Sequence, residues 1–116
     1  MIEPYLVGFG GMIGAVLRFA VSSRFETGPY PTVTVLVNVL GSFGLGLLTF
    51  LQVPEHLALL LGVGVCGSFT TFSSFSVSTV RLWESEAPIQ AVGFAALNIA
   101  GALAAIGLAA LLVWTL

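Results

Sequence analysis

Lysine and aspartate are absent from this 116-residue chain, and three arginines and five glutamates leave it only 7% charged. A soluble domain carries about 25% charged residues. Here 58% of residues are apolar and mean hydropathy is +1.12, the balance of an integral membrane protein. No basic surface exists for nucleic acid, and a formal charge of −2 is too small to direct any partner. The lone cysteine, Cys66, excludes an internal disulfide and a cysteine metal cluster. It reads as a small apolar residue. The lone histidine, His56, has no second ligand near it in sequence and lies at a segment edge. Glu3, Glu26, Glu55, Glu84 and Glu86 all fall in loops or at segment ends. A proton-coupled transporter needs an acid inside the membrane, so that class is disfavoured. No nucleophile–base pair is present, and no enzyme is expected. Glu3 stands where a cleavable signal would place basic residues, so no signal peptide is expected.

What the chain does contain is four apolar segments, at about residues 4–23, 32–51, 57–82 and 88–114. Each approaches the roughly 20 residues that cross a bilayer. Together they predict an all-α, four-span transmembrane domain covering residues 1–116, in the cell membrane and in contact with lipid. The first segment carries Gly10-x-x-x-Gly14 and Gly11-x-x-x-Ala15, small residues that let helix backbones approach in lipid. Arg18 is placed to snorkel towards the interface. Gly28-Pro29-Tyr30-Pro31 reads as a turn-rich loop, and Pro54-Glu55-His56 as a short one. Trp83 and Trp114 fit interfacial aromatic belts.

The third segment is interrupted by Gly67-Ser68-Phe69-Thr70-Thr71-Phe72-Ser73-Ser74-Phe75-Ser76, with six hydroxyl side chains in ten residues. Such a run predicts a helix broken at mid-membrane, the second half starting near Thr71 or Phe72. Irregular backbone at that depth is tolerated only where protein buries it or where it lines a cavity. On the second segment Thr34, Asn38 and Ser42 recur every four residues and share one face. Asn98 is the one strongly polar interior residue of the fourth. Hydroxyls, amide N–H groups and the positive edges of Phe72 and Phe75 are neutral donors suited to a small anion. They bind firmly enough to replace water yet release their guest, as conduction requires. Carbonyls ending the first half-helix offer a cation site at the negative end of its dipole.

These residues resemble a known family. GSFTTFSSFS at 67–76, GGMIGAVLRF at 10–19 and TVLVNVLGSFGLG at 34–46 look like the broken-helix, first-helix and second-helix motifs of the Fluc/CrcB fluoride channels. The resemblance implies an antiparallel dimer of four-helix subunits that passes fluoride passively out of the cell and so reduces its toxicity. It implies a structural, non-transported Na+ held by the Gly67 and Thr70 carbonyls, pore residues Phe72 and Phe75, the Asn38 amide, and the Ser73 and Ser74 hydroxyls. Arg18 matches the first-helix arginine. The family's usual fourth-helix tyrosine and the polar residue one turn on align here with Asn98 and Ala102, a departure from the pattern.

Four spans put the loops after segments one and three on one side. Arg18, Arg24 and Arg81 lie towards that side, and the other side has no basic residue. The positive-inside rule then places those two loops in the cytoplasm. A one-sided subunit forms an antiparallel pair with an oppositely oriented paralogue, whereas an unbiased one forms a homodimer. A second reading also stands: a small structural or assembly subunit whose polar residues only bond helices together.

Overall fold

The computed structural model describes residues 1–26, 28 and 30–116. Proline starts the helices where a missing N–H does no harm. Pro4 sits in the first turn of α1 (Glu3–Phe25) and Pro88 opens α5 (Pro88–Thr115), while Pro31 immediately precedes α2 (Thr32–Phe50). The third span, Glu55–Glu84, is two helices: α3, residues 55–69, and α4 (Phe72–Glu84). Four helical stretches are long and apolar enough to cross a membrane, and the described residues are otherwise turns and short connections. The expected spans therefore stand with ends moved by at most two residues. The expected loop at Pro54-Glu55-His56 is a correction: only Pro54 lies outside, and Glu55 and His56 begin α3. Of Gly28-Pro29-Tyr30-Pro31, Pro29 falls outside the described residues.

Most of α3 winds as a π-helix, Ala58–Cys66. Such a wide helix is rare beyond a single turn. It faces α1 where α1 has no side chains. A Cβ on Gly10 would strike the Leu60 carbonyl oxygen and come within 2.9 Å of the Gly64 Cα, and one on Gly14 would strike the Val65 carbonyl and Ser68 Oγ. The Gly10–Gly14 face thus does what its spacing predicts. Gly11 and Ala15 do not: Gly11 meets nothing within 4 Å of a built Cβ and Ala15 is exposed. They lie a residue round the helix from the contact.

Further packing joins α2 to α5 lengthwise, α4 to α5 and α2 to α3. The buried apolar residues, Val33 and Val37 on α2 with Ala91, Phe94, Ala105, Ala109 and Ala110 on α5, are mostly small. Helices in lipid associate by such close van der Waals packing. The chain consequently runs from an α1–α3 pair into an α2–α5–α4 group; α2 also packs on α3, with Gly44 against Cys66, Leu45 and Leu48 against Gly62, and Gly41 against Thr70, so that both α2 and the break at Thr70-Thr71 join the two.

Candidate ion pathway at the helix break

Thr70 (φ −78°, ψ 163°) and Thr71 (φ −147°, ψ 122°) are extended, which ends α3 and starts α4. Thr71 caps α4: its Oγ1 accepts from the Ser74 N–H at 3.1 Å. Its own backbone groups have left the helical ladder, and Asn38 replaces it. The Thr71 N–H donates to Asn38 Oδ1 at 2.8 Å, and Asn38 Nδ2 donates to the Thr71 carbonyl at 3.1 Å. The side-chain amide acts as one more peptide unit, and only one flip of it satisfies both bonds. Asn38 Nδ2 also donates to Asn98 Oδ1 at 2.9 Å, and Asn98 Nδ2 donates to the Phe94 carbonyl at 2.9 Å. One hydrogen-bonded chain thus ties the break to α2 and α5.

Two cavities flank this chain, one of about 500 Å³ and one of about 330 Å³. The sequence-predicted residues divide between them. Asn38, Gly67, Thr70, Phe72 and Phe75 line the larger, whose walls are otherwise mainly apolar. Ser73 and Ser74 line the smaller with Thr34, Ser78 and Arg81. The Thr34–Asn38–Ser42 face runs from one to the other: Thr34 lines the smaller cavity, and Asn38 and Ser42 line the larger. Both phenylalanine rings therefore line the larger cavity, together with the Ser42, Thr70 and Thr71 hydroxyls, while the smaller has hydroxyls and no aromatic ring.

Phe72 and Phe75 share a face as their spacing predicts, with ring centroids 5.7 Å apart and planes tilted by 38°. Their settings differ. Phe72 is 79% exposed, whereas Phe75 stacks on Phe94 at 5.9 Å and 25°. Phe94 is fully buried and meets Tyr30 in a T-shaped pair at 5.9 Å. Sequence reasoning missed Phe94 as part of the site. The signal was its position four residues before Asn98, which puts both on one face of α5. Asn98 itself is buried, 4% exposed, and lines the larger cavity; Ala102 lines it too but offers no polar group.

The Gly67 and Thr70 carbonyls lie at the end of α3, where helical partners run out. The Thr71 N–H that would serve Gly67 goes to Asn38 instead, and Gly67 O receives only a long 3.4 Å bond from Thr70 Oγ1. Gly67 O is a neutral, under-used oxygen at a negative helix end, the type of ligand that suits a hard monovalent cation, whereas the Thr70 carbonyl already faces a cationic side chain. Arg18 Nη1 approaches the Thr70 carbonyl at 3.5 Å. That corrects the snorkelling expectation: the guanidinium reaches inward to the break, because the same charge–dipole attraction draws it there. Cys66, half-buried, lines the larger cavity, and His56 is exposed on α3. Among the described residues no cluster of His, Cys, Asp or Glu is able to hold a metal.

A polytopic membrane protein with a helix broken between two cavities is the class this geometry defines. The family model described as CrcB-like protein, Camphor Resistance (CrcB), matches residues 5–110. The chain is 53% identical over 111 residues to Fluoride-specific ion channel FluC 2 of Haloarcula marismortui, covering 92% of this chain and 90% of the relative. It is 49% identical to Fluoride-specific ion channel FluC 1 of Halobacterium salinarum, over 96% and 90% of the two chains. With Fluoride-specific ion channel FluC of Ruminiclostridium cellulolyticum the identity is 38% over 100% and 95%. The chain belongs to the CrcB family, a family of ion channels and not of enzymes.

Proposed function

We propose that this chain is a subunit of a passive fluoride channel that lets cytoplasmic fluoride leave the cell. The observation that carries the reading is the run of neutral polar side chains past the break, Thr34 in one cavity and Asn38 and Ser42 in the next, beside Phe72 and Phe75. The names of the relatives support fluoride as the ion. Weak-acid chemistry gives the purpose: neutral HF crosses the bilayer, ionises in a less acidic cytoplasm and accumulates. A negative interior then drives the anion out with about 2.3 kcal/mol per charge per 100 mV. No coupling carboxylate is required, in keeping with five glutamates placed at segment ends or in loops.

A structural Na+ is part of this proposal. The Gly67 and Thr70 carbonyls would hold it, and a second subunit in the opposite orientation would complete its shell. The ion would supply fixed positive charge beside the path. Arg24 and Arg81 favour a cytoplasmic position for the loops after α1 and α4, and so a heterodimer with an oppositely inserted paralogue over a homodimer. Arg18, occupied at the break, no longer counts towards that bias.

A fluoride electrode tests the function directly. Liposomes containing the purified protein, with its paralogue where the cell makes one, should release fluoride and retain chloride. Equal release of both ions, or of neither, sinks the proposal and leaves the assembly-subunit reading, which the bonding of Asn38 to α4 and α5 favours.

A further inference from the structure

We infer that Arg81 draws the permeating anion from bulk water into the smaller cavity, opposed there by Glu26, so that these two charges set how fast the channel loads; this rests on the channel reading above. Among the described residues Arg81 is the one basic side chain lining either cavity. It stands in the last turn of α4, and Glu26 stands just past the end of α1, so both charges belong to the loop end of the cavity. They line it from different helices and form no ion pair among the described residues. Inward along α4 the same cavity meets Ser78 and then Ser74. The helix rises about 10 Å between Ser74 and Arg81.

The hydroxyls indicate that this stretch is wet. Elsewhere on the helices serines and threonines bond back to the carbonyl four residues earlier: Ser23 to Phe19, Thr49 to Leu45, Ser76 to Phe72 and Thr79 to Phe75. In hydrocarbon that bond satisfies the hydroxyl. Ser22, Thr34, Ser74 and Ser78 line the smaller cavity, and their hydroxyls make no hydrogen bond among the described residues. The Ser22, Thr34 and Ser78 oxygens nevertheless reach open space, where water serves them. A fixed charge pulls an anion through such water over about one Debye length, about 10 Å at 0.1 M salt. That is the depth from Arg81 to the break. Low-dielectric walls focus the field along the cavity. Arg81 therefore acts at a distance, whereas the hydroxyls act on contact. The Glu26 carboxylate keeps the pull weak enough for the anion to pass on, as conduction requires.

The test is the ionic-strength dependence of fluoride efflux at low fluoride, where loading limits the rate. Liposomes of the assembled channel are assayed with a fluoride electrode in about 0.01 M and about 1 M sodium gluconate, with Debye lengths of about 30 and 3 Å. In the dilute salt Arg81→Gln should slow efflux about threefold, the effect of one charge across several ångströms of water. Glu26→Gln should speed it by a similar factor, and Arg81→Lys should keep the unaltered rate. Both differences should shrink below about 1.5-fold in the concentrated salt, where screening is complete within the cavity. A structural role for Arg81 predicts the same loss at both salts. Such a loss, Arg81→Lys as slow as Arg81→Gln, or no change from either charge-removing variant in dilute salt overturns the inference. Where Arg81→Gln does not fold, Glu26→Gln reads the same field from the α1 wall, and a rate that fails to rise overturns it. Absence of efflux from the unaltered protein overturns the channel reading and this inference with it.

Discussion

Residues 55–69 and Phe72–Glu84 belong to one span, yet they are held by different means. The π-helical part of α3, Ala58–Cys66, is apolar throughout, and α3 lies on α1 through backbone contact at Gly10, Gly14 and Gly64. α4 is amphipathic, has no buried residue, and is held by the Thr71 cap, the Asn38 bonds and the Phe75–Phe94 stack. Shape fixes the first half and directional bonds fix the second. A span that must stay put on one side and carry polar groups on the other gains from being two helices.

The severest way to break that contrast is Asn38→Leu. It leaves the Thr71 N–H and carbonyl without partners, at about 1–3 kcal/mol for each buried group. Unfolding in a denaturing-detergent titration should shift by about 2–6 kcal/mol, and efflux should vanish. A shift below 1 kcal/mol would mean that water serves the break unaided, with ~1 kcal/mol being the ordinary worth of one hydrogen bond. Next comes Gly64→Val on the other half, since a built Cβ meets the Gly10 Cα at 2.8 Å and the Val7 carbonyl at 3.0 Å. Overpacking of this kind costs about 1–3 kcal/mol. Gly11→Ala, with open space around it, should be neutral or stabilising by up to about 1 kcal/mol. Equal losses in both variants would show that the clasp is not steric.

Thr71→Ala removes the cap of α4 and should lower stability by about 1 kcal/mol, with Thr71→Ser recovering most of it. The smallest expected effect on stability is that of Phe72→Ile. An exposed side chain of this kind shifts stability by about 0.5 kcal/mol or less, while efflux should fall because the polarised ring edge is gone. Phe75→Ile should lower both, as it also loses the stack on Phe94. Efflux unchanged in the two phenylalanine variants would return these rings to packing alone.

Much of this was legible in the sequence because the membrane restricts the choices. Segment length gave the four spans, and six hydroxyls after Gly67 gave the break within a residue. The face shared by Thr34, Asn38 and Ser42 followed from helical spacing. The π-winding of Ala58–Cys66 was not legible, since no local pattern in its apolar run marks it. Arg18 was read as snorkelling because its partner, the Thr70 carbonyl, is 52 residues away. Phe94 looked like one more apolar residue until Phe75 and Tyr30 were placed against it.

The Asn38 amide standing in for a peptide group has a consequence for how the chain is made. Outside its pairing with α2, the Thr71 peptide would face hydrocarbon with both groups bare, which lipid does not tolerate. Without α2 the same segment would satisfy these groups by continuing as a helix through Thr70-Thr71, so the break depends on docking against α2. The kink is a product of tertiary assembly, written one span upstream of where it appears, so biogenesis must deliver α2 before the pathway can exist.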